Sequence, residues 1–70
     1  MSKVKDLRKE AGIKQSFMAK YLNISTTNYS KKEKGDVKYS LEEAKKVADY
    51  FKKTIEDIFF DNEVSKTETK

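Results

Sequence analysis

QSFMAKYLNISTTNYSKKEKG, residues 15–35, is the stretch on which the fold turns. Met18, Ala19 and Leu22 fall on one side at helical spacing, which predicts a helix over 15–22. Asn23 follows, and asparagine is the next most tolerant residue after glycine at a left-handed turn position. Ile24 is an apolar plug in that turn, and Ser25 reads as an N-cap whose hydroxyl accepts from a free N–H of the next helix. That next helix, 26–34, begins Thr26-Thr27-Asn28 and is polar nearly all round, with Tyr29 as its main apolar anchor. Gly35 ends it. The stretch is therefore a compact apolar helix, a tight turn, and a polar, basic helix. A helix without an apolar stripe has little reason to be buried, so it is either a solvated face or a recognition element.

Working outward, Val4, Leu7 and Ala11 share a face of a helix over 3–11, which Gly12 stops. Downstream, residues 36–39 form a loop, and Ser40 with Glu43 makes an S-x-x-E capping box. Leu41, Ala44, Val47, Ala48 and Phe51 are the apolar stripe of a helix over 41–52. Thr54 caps a short fifth helix through Phe60, with Ile55, Ile58 and Phe59 inward. No sustained alternation marks a strand, so the fold class is all-α. Residues 1–60 form the domain. Residues 61–70 hold one large apolar residue, Val64, and are expected to be a flexible charged C-terminal tail.

Seventy residues suffice for one small domain with a limited core. Cysteine and histidine are absent, which excludes disulfides, a Cys/His zinc site, a thiol nucleophile and a histidine base. No phosphate loop, paired carboxylates in a pocket or metal spacing is present, so an enzyme is not expected, nor is a cofactor. No apolar run approaches the ~20 residues that span a bilayer, and no signal pattern opens the chain. A cytoplasmic protein is the expectation. The net charge is +4, from 16 basic and 12 acidic residues. Residues 14–39 carry six lysines against Glu33 and Asp36, whereas residues 40–70 carry six lysines against eight carboxylates. The positive excess thus lies in the first 39 residues, as a basic face for a polyanion would require.

The stretch 15–35 resembles the helix-turn-helix of the phage Cro/repressor family, also called the XRE family. The family has Gln at the start of its second helix, Leu/Met-Ala in the middle, Leu-Gly-Val/Ile-Ser through the turn, and Glu-x-Gly at the end. This chain has Gln15, Met18-Ala19, Leu22-Asn23-Ile24-Ser25 and Glu33-Lys34-Gly35 in those places. The similarity runs from about Val4 to Phe60 and implies a five-helix lambda-repressor-like DNA-binding domain.

What the resemblance implies for single residues follows from position. Gln15 would bond a phosphate oxygen, helped by the N–H groups and dipole of the helix end. Thr26, Thr27, Asn28 and Lys31 match the base-reading positions, with chemistry suited to adenine, guanine and thymine edges. Lys34, Lys38 and Tyr39 lie where the family grips the backbone. Arg8, the chain's sole arginine, matches the position whose guanidinium pairs with the glutamate at Glu33, a structural clamp rather than a DNA contact. Departures from the pattern are Lys14 in place of the Ser/Thr cap, Asn23 in place of the turn glycine, and Lys32 in place of an inward apolar residue. The Lys32 stem would cover apolar surface while its head reaches water or a phosphate. Phe17 and Tyr21 stand at normally polar, exposed positions, and either pack on each other or form a dimer or partner surface. Phe59 and Phe60, with Ile55 and Val64, offer a second place for a dimer contact.

The implied function is a sequence-specific transcriptional regulator, a phage or bacterial Cro-like repressor. It would read the major groove of double-stranded DNA with residues 26–34, as a weak homodimer on a near-palindromic operator. At this length neither a ligand-sensing nor a peptidase domain is expected. The alternative is a protein-interaction adaptor or antirepressor on the same fold that modulates another regulatory protein, since fold does not fix function.

Overall fold

A computed structural model describes residues 3–59 and 63–65. Among them the chain forms helices α1 (Val4–Glu10), α2 (Gln15–Tyr21), α3 (Thr26–Lys34), α4 (Leu41–Tyr50) and α5 (Ile55–Ile58). The connections follow the local chemistry. Gly12 and Gly35 adopt φ of 72° and 93°, and Asn23 adopts 62° in the α2–α3 turn. Ser25 accepts from the Asn28 N–H at 3.0 Å and so starts α3. Past Gly35, the Asp36 N–H donates back to the Lys31 carbonyl at 2.9 Å and closes the helix end. Ser40 and Glu43 form the reciprocal capping box of α4, and Thr54 with Asp57 does the same for α5.

Helix ends differ from the sequence reading, by one residue in α1 and α2 and by two in α4 and α5. α4 stops at Tyr50 because Lys52 turns left-handed, with φ of 58°, and no glycine marks that turn. α5 is a single turn, after which Phe59 is extended. Ala11, expected on the inner face of the first helix, is exposed, because that helix ends at Glu10 and the chain turns outward at Gly12.

The core draws on every helix: Val4, Met18, Tyr29, Val47 and Ile58 are all buried, as is Leu22 at the end of α2. The Lys3 N–H donates to the Ile58 carbonyl at 3.2 Å and fastens the start of α1 to the end of α5. Residues 63–65 are not a loose tail. Val64 is buried, and it forms an isolated parallel bridge with Tyr39. The Tyr39 N–H donates to the Glu63 carbonyl at 2.9 Å, and the Ser65 N–H donates to the Tyr39 carbonyl at 2.8 Å. One valine and two backbone hydrogen bonds are enough to dock a short segment, whatever the composition of the residues around it.

Candidate nucleic-acid interface

α2 and α3 pack on each other across the turn at Asn23, where the Ile24 N–H reaches back to the Ala19 carbonyl at 2.9 Å. α3 has two contrasting sides. Tyr29, Lys32 and Glu33 are buried. Thr26, Thr27 and Lys31 are exposed, and Asn28 is half-buried. None of those four side chains makes a hydrogen bond with another described residue, so their donors and acceptors are free for an external partner. The exposed row starts at the helix N-terminus, where free N–H groups and the helix dipole add positive potential.

The buried side of α3 is fixed by Glu33. Its carboxylate accepts from Arg8 Nε at 2.7 Å, Arg8 Nη2 at 3.2 Å, Gln15 Nε2 at 2.9 Å and the Tyr29 hydroxyl at 2.6 Å. Arg8 also donates to the Ile13 carbonyl at 2.7 Å. The planar guanidinium thereby ties α1, the α1–α2 turn and α3 to one point. Burial alone would raise the Glu33 carboxyl, but the hydrogen bonds from Arg8, Tyr29 and Gln15 outweigh it and hold the group below the usual carboxylate range. The same Glu33 bond raises Arg8, against its own desolvation. Burial, then the bond to Glu33, pushes the Tyr29 hydroxyl far above its ordinary value.

Gln15 sits at the first position of α2 and spends one amide hydrogen on Glu33. Its amide nitrogen carries a second hydrogen that this bond leaves free. Lys14 before it makes no side-chain cap, consistent with its departure from the Ser/Thr pattern. Lys34 and Lys38 are exposed beyond that row of α3. Lys34 lies 3.9 Å from Asp36, a loose and solvent-facing ion pair of little energetic weight.

Several expected positions fall elsewhere. Tyr39 is 1% exposed, with its ring edge-on to Phe59 at 4.9 Å, so its side chain does not grip a backbone. The pairing with residues 63–65 pulls it inward. Phe59 is buried by the same contact and offers no dimer surface. Phe60 lies outside the described residues. Lys32 neither reaches water nor stands free for a phosphate. Its ammonium donates to the Lys38 carbonyl at 2.8 Å and meets Glu43 Oε1 at 3.0 Å, which joins α3 to the capping box of α4. Its charge also stands 6.0 Å from the Tyr39 ring centre. The partner of its head was not visible without the fold.

Phe17 and Tyr21 are exposed, and each packs on Tyr50 of α4. Tyr50 was absent from the sequence-based site. Its signal was its place beside Phe51 at the end of the α4 stripe, where a helix cannot bury two successive rings on one face. Among the described residues no group of three or more potential ligands could hold a metal ion, and no helix is long and apolar enough to cross a membrane.

A two-helix unit that presents a polar, basic helix and buries its other side is the architecture of a helix-turn-helix. A family model described as helix-turn-helix matches residues 4–58. The chain belongs to that family, the Cro/repressor or XRE type of DNA-binding regulator, and the five helices are its lambda-repressor-like fold. Double-stranded DNA is the ligand the family implies. No curated protein matches the chain.

Proposed function

We propose that this protein is a Cro-like repressor of phage or bacterial origin, acting in the cytoplasm, that inserts α3 into the major groove. The observation that carries this reading is the two-sidedness of α3. Its Glu33 side is fastened by four hydrogen bonds, while Thr26, Thr27, Asn28 and Lys31 keep unused polar groups on the other. A major groove admits one α-helix and displays a distinct donor and acceptor pattern for each base pair. Asn28 is suited to a bidentate pair with adenine, Lys31 to guanine acceptors, and the threonines to thymine methyls. Gln15 contributes its remaining amide hydrogen to a phosphate, and Lys34 and Lys38 add backbone attraction. Arg8 and Glu33 set the angle of α3 without touching DNA. Two copies read a near-palindromic operator with half-sites about one helical turn, ~34–36 Å, apart. The DNA-binding unit extends past residue 60 to the docked segment 63–65.

Selection of bound duplexes from a randomised pool, at near-physiological salt, tests the reading. Enrichment of a two-fold symmetric site is the expected result. Folded protein that enriches no motif would overturn it.

A further inference from the structure

Among the described residues, three of the four exposed large apolar side chains, Phe17, Tyr21 and Tyr50, form one patch. Phe17 and Tyr21 lie 6.0 and 5.4 Å from the Tyr50 ring. Tyr50 in turn stands edge-on to Phe51 at 5.0 Å, and the Tyr21 hydroxyl donates to the Lys46 carbonyl at 3.2 Å. The rings are thus held in place before any partner arrives, so little side-chain entropy is lost on contact. Beside them runs an open cleft between the α1–α2 turn, α2 and the end of α4, with Ile13, Phe17 and Tyr50 as its apolar walls. Lys14 and Lys20 stand on its rim, and no carboxylate lines it. Neither lysine is ion-paired with a described residue.

We propose that this cleft docks an acidic peptide segment of a partner protein, which seats one or two apolar anchor side chains against the wall formed by Ile13, Phe17 and Tyr50 and sets its carboxylates against Lys14 and Lys20. The size favours a short segment: three rings and an isoleucine fall well below the ~800 Å² per partner of a stable globular interface. A second copy of the chain is a poor occupant, because an isologous contact would set lysine against lysine. DNA is a poor occupant as well. Gln15 points from α2 to Glu33 on α3, and Phe17, two residues on, is turned about 200° away around the helix. A partner at the cleft therefore leaves the exposed row of α3 clear.

The test is selection of a displayed library of random dodecapeptides on the full chain, followed by titration of the synthesised winners and amide chemical-shift mapping. The expected winners carry Asp or Glu beside a Leu, Phe or Trp, and perturb residues of α2 and the end of α4. Phe17→Ala and Tyr50→Ala should each weaken binding roughly tenfold or more. Lys20→Glu, a change at a solvent-facing charge that spares the packing, should weaken it and flatten its salt dependence. Winners without acidic bias, shifts mapped elsewhere, or no enrichment at all would overturn the proposal. Oligothymidylate that displaces the peptide from the cleft would reassign it to nucleic acid. Self-association abolished by Phe17→Ala would reassign it to a second copy.

Discussion

Replacing Glu33 by alanine removes the acceptor of four hydrogen bonds at once. The Arg8 guanidinium, buried at 8% exposure, would keep only its bond to the Ile13 carbonyl. Breaking one partner from a buried ion pair costs about 3–5 kcal/mol, mostly through the charge left behind. A domain of this length has a total stability of roughly 3.5–10 kcal/mol. Each kcal/mol lowers the melting temperature of so small a domain by about 4–8 °C, so Glu33→Ala should melt at least ~12 °C lower, or be unfolded at 25 °C. Glu33→Gln keeps the shape and loses the charge, and it isolates the pH dependence. The folded carboxyl is held below its unfolded value of about 4.3, so the stability it contributes is fully present above that value. It is lost as pH falls through the lowered folded value. The gap in melting temperature between the wild type and Glu33→Gln should therefore be widest near neutrality and close in acid, other carboxylates being common to both. Thermal denaturation followed by circular dichroism across pH measures both effects. A fall of less than ~4 °C for Glu33→Ala is what a solvent-screened surface pair would give, and it would refute the clamp.

Four further outcomes are expected. Asn28→Ala or Lys31→Ala should each relax preference at one or two base pairs, by about 1–3 kcal/mol, when the variants are put through the same duplex selection. Lys34→Ala should weaken all sequences alike and flatten the plot of log affinity against log salt by about one unit; base-pair-specific loss would place it in the reading row instead. Deleting residues 61–70 should lower the melting temperature by several degrees, because burying a valine side chain contributes about 1.5–3 kcal/mol. An unchanged melting temperature would mean that Val64 is not held against the core. Tyr39→Phe should change the melting temperature by only a few degrees, since the buried Tyr39 hydroxyl makes no hydrogen bond of good geometry and interacts with a Tyr29 hydroxyl that already donates to Glu33. A fall of more than ~5 °C would reveal a partner for that hydroxyl.

What was legible in the sequence was local. Ser25, Ser40 and Thr54 cap helices because a hydroxyl reaches an N–H two or three residues on, and nothing distant is needed to place it. Gly12, Asn23 and Gly35 take left-handed turns for an equally local reason. What was not legible joins residues far apart in the chain. Phe17 and Tyr21 stood out as a pair, but the ring they meet is on α4. Tyr39 follows a lysine in a polar loop and looked like a surface residue. It is buried because residues 63–65 pair with its backbone, and ten residues of mostly polar composition hid the three that do so. Lys32 makes the same point with charge. Its place on the inward side of α3 sets it apart from Lys31 and Lys34, but nothing local names the partner of its head, and all three could meet phosphate. The Lys38 carbonyl and Glu43, held by the cap of the next helix, turn Lys32 inward while Lys31 and Lys34 stay exposed. A basic run therefore overstates the free charge of a helix wherever a cap carboxylate lies within reach, and Lys31 and Lys34 are the lysines of α3 that stay exposed.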